Sequence, residues 1–179
     1  YKYDLSKENI GTLLIEQKKF NEALSYFQSM DEITECVQYY IGLCHYYINE
    51  SKKTYLNFVD NAGEYGNILE SLDLYEKKEY KKAYQKLFPV LDSENVTKTN
   101  KITILDLFCC ICIQADDYQV LIDYVEKMEY KTATIKRHLA HAYIAIQKYR
   151  RAYEYLYEAH KEGDEEASEA LYKIINLVY

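Results

Sequence analysis

Tryptophan is absent from this chain, proline occurs once and glycine only five times in 179 residues. Loop-rich and strand-rich folds spend Gly and Pro at their turns, so this shortage points to long helices. Positive charge is short as well: 22 Lys+Arg stand against 29 Asp+Glu, a net charge of −7. Binding to a nucleic-acid backbone needs clustered cations and is not expected; a basic or neutral partner is compatible. The longest apolar stretch, Ile102 to Ala115, is interrupted by Asp106 and too short to span a bilayer. No membrane association is expected, and no signal peptide is visible. The signatures of catalysis are missing too: no phosphate-cradling Gly-rich loop, no nucleophile elbow and no H-E-x-x-H.

Cysteine is present in an odd number, five, at positions 36, 44, 109, 110 and 112. Cys109-Cys110-Ile111-Cys112 falls inside an apolar helical stretch, where Cys behaves as a small hydrophobe. No Cys-x-x-Cys pair recurs, so neither a zinc ribbon nor a redox motif is supported. Reduced thiols in the cytoplasm are the expectation. The sequons Asn49-Glu50-Ser51 and Asn95-Val96-Thr97 matter only in a secreted protein. Because the chain opens on Tyr1 and not Met, further sequence beyond it is expected.

What the chain has in excess is tyrosine, 22 against five Phe. Its apolar body and polar tip suit both half-buried helix packing and wet binding surfaces. It also has a repeat. A small residue is followed twelve positions later by a second, with an aromatic three places before that second one. The pairs are Gly11 with Ala23 (after Phe20), Ser71 with Ala83 (after Tyr80), and Ala140 with Ala152 (after Tyr149). Phe27, Leu87 and Leu156 follow four places after the second small residue. A period near thirty residues predicts stacked helical hairpins, none of which buries its apolar face alone.

Apolar spacing predicts eleven helices, at about 5–17, 20–29, 31–48, 52–59, 65–77, 80–91, 102–114, 118–128, 132–147, 149–161 and 165–178. Asp4 or Ser6 is suited to cap the first and Asp31-Glu32 to begin the third. Pro89 should bend its helix or end it early. The segment from Asp92 to Lys101 reads as the longest loop, Gly163 as a helix stop, and Asp164 as the cap of the last helix. Short turns make neighbours antiparallel. The expected fold is all-α: an α-α superhelix (solenoid) of about five hairpins in one domain. Its repeats fall at about 4–30, 32–60, 64–91, 101–128 and 132–161, with a capping helix at 164–178.

This pattern resembles the tetratricopeptide repeat, W-x2-L-G-x2-Y followed by A-x3-F in 34 residues. The first repeat reads Lys7-x2-Ile10-Gly11-x2-Leu14, then Ala23-x3-Phe27. The fifth reads Lys136-x2-Leu139-Ala140-x2-Tyr143, then Ala152-x3-Leu156. In the fourth the same places hold Phe108, Cys109, Cys112, Leu121 and Val125, and in the third Ser71, Leu74, Ala83 and Leu87. The second is weakest, with Ile41-Gly42, then Thr54 for the second small residue and Phe58 at the aromatic position. The small residues recur at intervals of 31 (11 to 42), 29 (42 to 71), 38 (71 to 109) and 31 (109 to 140), so irregular loops are expected.

The resemblance implies that one helix of each hairpin lines a concave groove gripping a protein or peptide segment. The groove positions are then Glu8 and Thr12; Tyr39, Leu43 and Tyr46; Ile68, Leu72 and Tyr75; Asp106, Cys110 and Ile113; and Arg137, His141 and Ile144. Of these, Tyr39, Leu43, Tyr46, Leu72, Tyr75, Arg137 and His141 are the candidate peptide-binding residues. Glu8 and Thr12 replace the Lys and Asn that the family's chaperone-tail binders set against a terminal carboxylate, so that use is not expected. His138-x-x-His141 puts two imidazoles on one helical face, but no third ligand is evident nearby, and no metal is expected. Cys44-His45 cannot act as a nucleophile–base pair, since adjacent helical residues point about 100° apart. The reading is a non-enzymatic binding scaffold without cofactor. Its rivals are the peptide-sensing domain of a quorum-sensing type transcriptional regulator and a structural segment of a larger assembly.

Overall fold

The structure is a computed structural model that describes the backbone of residues 4–48 and 54–178 and the side chains of 8–48 and 54–175. It is all-α, with no strand among the described residues. The helices are α1 Asp4–Glu16, α2 Phe20–Gln28, α3 Glu35–Ile48, α4 Gly66–Glu76, α5 Tyr80–Gln85, α6 Phe88–Asp92, α7 Lys98–Gln114, α8 Tyr118–Val125, α9 Ala133–Ala145, α10 Tyr149–Lys161 and α11 Glu165–Val178. Two 3-10 helices, Thr54–Phe58 and Asp60–Tyr65, join α3 to α4. The chain divides into two compact units, residues 1–77 and 78–179. No described helix is long and apolar enough to cross a membrane.

One turn is built four times. Lys18, Lys78, Asp116 and Gln147 all take positive φ, between 54° and 61°. The next residue in each case (Lys19, Glu79, Asp117, Lys148) sits near φ −90°, ψ 54° to 61° and precedes the second helix. At Lys18, Asp116 and Gln147 the left-handed residue's N–H donates to the carbonyl three back, and its successor donates to the carbonyl five back. That pairing satisfies carbonyls which a helix end would otherwise orphan. The left-handed residue always lies seven places after the first small residue (Gly11, Ser71, Cys109, Ala140) and five before the second position (Ala23, Ala83, Leu121, Ala152). All eight positions are buried, as are Phe27, Leu87, Val125 and Leu156 four places further on. Gly163, at φ +93°, makes the same kind of turn between α10 and α11, and Asp164 Oδ1 accepts the Ala167 N–H at 2.8 Å.

In residues 1–77, α2 packs on α1 and α3, and α3 also packs on both 3-10 helices. The predicted helix at 52–59 is replaced by those 3-10 turns, its first residues lying outside the described set. Thr54 offers no small buried contact there; Tyr55 is the buried residue. Gly63 breaks the run at φ +53°, ψ −131°, a conformation open to Gly alone. The third helix begins at Glu35 and not at Asp31, because Thr34 Oγ1 accepts the Val37 N–H at 3.2 Å. The caps suggested for α1, Asp4 and Ser6, have side chains outside the described residues.

In residues 78–179, Pro89 divides the predicted helix 80–91 into α5 and α6, since its ring nitrogen has no hydrogen to give Gln85. The expected loop at 92–101 is partly helical: Thr97 Oγ1 accepts from Asn100 N, starting α7 at Lys98. Thr132 caps α9 in the same way, accepting from Ile135 N. Helices α7 to α11 pack in sequence, with α9 also resting on α7.

Much of the tyrosine surplus fastens helices. Tyr46 donates to Glu76 (2.6 Å), Tyr55 to Asp73 (3.2 Å), Tyr84 to Asp117 (3.0 Å) and Tyr124 to Asp92 (2.7 Å). Glu126 receives two hydroxyls, from Tyr143 and Tyr155. Each ring lies against packed helix while its hydroxyl finds an anionic acceptor, a charge-assisted bond of above-average strength. Burial first, then the bonded carboxylate, raise the Tyr84 and Tyr143 hydroxyls to about 12, so these bonds persist through neutral pH.

The five cysteines are free. Cys44, Cys109 and Cys112 are buried and Cys110 is exposed. Burial pushes the Cys44 and Cys112 thiols up to about 12 and that of Cys109 well above its usual range, which disfavours the reactive thiolate. A maleimide at neutral pH should therefore modify Cys110 first and half-buried Cys36 more slowly. Cys44, Cys109 and Cys112 should react only on unfolding, as mass spectrometry of timed samples would show. Equal rates at all five would contradict this packing.

Candidate functional site

The candidate residues of 1–77 lie on α3 and α4, which pack together. Tyr39 is 7% exposed and Leu72 5% exposed, so both belong to the interior. The Tyr39 ring stacks on Tyr65 at 5.5 Å and lies 5.2 Å from Tyr40. Burial drives its hydroxyl far above the normal tyrosine range. Leu43, Tyr46 and Tyr75 are half-buried and reach the surface. Tyr46 is held from two sides: edge-on to the Tyr55 ring at 5.3 Å, and through its bond to Glu76 beside Tyr75. Phe20 and the exposed Tyr47 stack at 4.6 Å near the same end of α3.

In residues 78–179 the candidates lie on α9, whose consecutive basic residues turn to different acidic partners. Lys136 pairs with Glu158 at 3.1 Å and with Glu162. Arg137 Nε meets Asp164 Oδ2 at 3.1 Å, and its Nη1 meets Glu166 Oε2 at 2.6 Å. His138 Nε2 lies 2.9 Å from Asp106 Oδ1. Lys136, Arg137 and His138 are thus each matched by carboxylates of their own unit. Arg137 in particular is pinned between α9 and the start of α11 and presents no unengaged guanidinium. His141 is exposed beside Tyr118, with ring centroids 6.2 Å apart. Burial, then the neighbouring His138, lower its pKa.

The two histidines do not converge. His138 instead meets two residues of α7 that sequence reasoning had placed on its binding surface but not beside an imidazole. Asp106 and Cys110 are four apart on that helix and so share a face. Cys110 Sγ lies 3.8 Å from the same His138 Nε2. The three ligand-type atoms Oδ1, Sγ and Nε2 all fall within 4.8 Å of one another. Burial alone would lower the His138 pKa, yet the bond to Asp106 and the adjacent Cys110 push it up to about 9. The trio has the right residue types for an acid–base–nucleophile relay and the wrong wiring. Such a relay needs one ring nitrogen on the acid and the other on the nucleophile, whereas here Nε2 faces both. Separations of 32 and 28 residues hide this cluster from any local motif.

No protein-family model matches the chain, and no curated protein matches it. Among solved structures it is similar to a tetratricopeptide repeat protein from Parabacteroides merdae ATCC 43184. The identity is 15% and the TM-score 0.41, over 93% of this chain and 81% of that one.

Proposed function

We propose that the chain is a non-enzymatic scaffold that binds a protein or peptide segment on the surface of α3 and α4. The observation that carries this reading is the division of the tyrosine-rich patch into two layers. Leu43, Tyr46 and Tyr75 stay partly exposed, while Tyr39 and Leu72 lie buried in the same two helices. An amphipathic ring with two χ angles, already braced by packing and a hydrogen bond, loses little entropy when a partner covers it. The partner is expected to be apolar or weakly basic where it meets this patch, given the nearby Glu76 and the net charge of −7. His141, exposed in the second unit, is outside this patch. Arg137 contributes a polar contact only if a ligand carboxylate replaces Asp164 or Glu166. The assembly alternative has one observation in its favour: Tyr172 is 80% and Ile175 40% exposed on α11, an edge that a neighbouring subunit would cover.

The test begins with a peptide selected from a displayed library against the full chain. Tyr46→Ala and Tyr75→Ala, each checked for native helicity, should weaken that peptide by about 2 kcal/mol per anchor, or roughly thirtyfold. Binding unchanged by both would move the interaction off these helices.

A further inference from the structure

We infer that Asp106, Cys110 and His138 form a binding site for a zinc-class divalent ion, with three protein ligands and the remaining position open to solvent. The donor set is a thiolate, an imidazole and a carboxylate, a combination that selects zinc or its tetrahedral surrogate cobalt over oxygen-seeking magnesium or calcium. The geometry is close to that needed. Ligand atoms around tetrahedral zinc are separated by about 3.3–3.6 Å, given its bond lengths of about 2.0–2.3 Å. Here Nε2 to Oδ1 is 2.9 Å and Nε2 to Sγ is 3.8 Å, and Oδ1 lies within 4.8 Å of Sγ, so rotamer shifts of the exposed Cys110 and half-buried Asp106 would bring the three donors to the ion.

The scaffold is set to hold these atoms in place. Asp106 and Cys110 are one turn apart on α7, flanked by Leu105 and Cys109, 6% and 0% exposed. His138 is next to Leu139, 0% exposed, on α9, which packs directly on α7. Cys110 is exposed, which gives the ion an entry path and leaves the fourth position to water or to a donor atom from a partner. Nε2 faces both other donors, an arrangement that suits a shared ion and not a proton relay. Bound there, the ion would bridge two helices at the surface and offer an attachment point independent of the tyrosine patch.

Cobalt(II) and zinc(II) titrations of the reduced chain test this directly. Cobalt should develop the d–d bands of a tetrahedral site together with a sulfur-to-metal charge-transfer band, and zinc should bleach both stoichiometrically. Cys110→Ser, His138→Gln and the near-isosteric Asp106→Asn should each weaken zinc at least about tenfold while circular dichroism stays native, and Cys110→Ser should abolish the charge-transfer band. His160→Gln should leave affinity within about twofold, because that ring bonds Ser168 and belongs to neither α7 nor α9. A cobalt spectrum without sulfur bands, or zinc affinity that Cys110→Ser and His138→Gln leave intact, would overturn the site. It would reduce the trio to a surface ion pair beside a thiol.

Discussion

Replacing Phe108 with alanine should cost about 3–5 kcal/mol, the range for removing a large aromatic from a closed interior. Phe108 is 0% exposed and stands at the meeting point of α5, α6, α7 and α8. Its ring centroid lies 6.0 Å from Tyr84, 5.4 Å from Phe88 and 5.1 Å from Tyr124. The Tyr84 and Tyr124 hydroxyls are anchored to Asp117 and Asp92, which hinders the walls from collapsing into the void. A cavity that cannot relax keeps the full penalty. Urea unfolding read by circular dichroism should show the midpoint falling sharply for Phe108→Ala, with helical signal retained in buffer. A loss below 1 kcal/mol would mean that this cluster is not closed.

The second large effect is expected from Gly11→Ala. A Cβ on Gly11 would sit 2.2 Å from Phe27 Cζ, 2.4 Å from Cε1 and 2.8 Å from Cε2. Phe27 has little freedom to yield: it is 0% exposed and stacked on Tyr40 at 5.2 Å. In a free helix, alanine for glycine gains about 1 kcal/mol. Here overpacking of about 3 kcal/mol outweighs that gain, for a net loss of about 2 kcal/mol. The sign alone is informative, because a helix that merely lay exposed at Gly11 would become more stable. Thermal unfolding of the variant decides between the two directions.

These two positions also show what the sequence disclosed and what it withheld. The register of small residues was legible because close helix contact tolerates few side chains. Gly11, Ala23, Ala140 and Ala152 therefore mark the contacts without reference to anything distant. The turns between them were not legible, since Lys18, Lys78, Asp116 and Gln147 occupy a left-handed position where glycine is the usual sign. At Lys18, Asp116 and Gln147 the conformation is fixed by the hydrogen bonds that close the preceding helix, which no residue type at the turn announces. Thr34 and Thr97 cap α3 and α7, a few residues from the starts that Asp31-Glu32 and Ile102 suggest, because a hydroxyl acts as a cap only where the backbone already turns. In the second repeat, Thr54 fills the place of a small residue, and the backbone answered with 3-10 turns ending near Gly63.

The candidate site divides along the same line. Helical spacing placed Tyr39, Leu43, Tyr46, Leu72 and Tyr75 on two neighbouring helices, but periodicity cannot say which members of a stripe are covered. Tyr39 is covered in part by the ring of Tyr65, at the end of a 3-10 segment that the repeat pattern does not anticipate. Arg137 falls at a groove position of the repeat, and nothing local reveals its partners, Asp164 and Glu166, which lie 27 and 29 residues further on. The same distance in sequence concealed Asp106 and Cys110 from His138.

The account rests on the hairpin register, in which Gly11 receives Phe27 sixteen places later and Gly42 meets Phe58 at the same interval. A double-mutant cycle tests that contact most directly, with Gly11→Ala, Phe27→Leu and the combined variant compared by urea unfolding. Leucine removes the ring edge that the new methyl would strike. The penalty of Gly11→Ala should therefore shrink by at least about 1 kcal/mol in the Phe27→Leu background. Penalties that add to within about 0.5 kcal/mol would show that the two residues do not meet, and the register would be wrong.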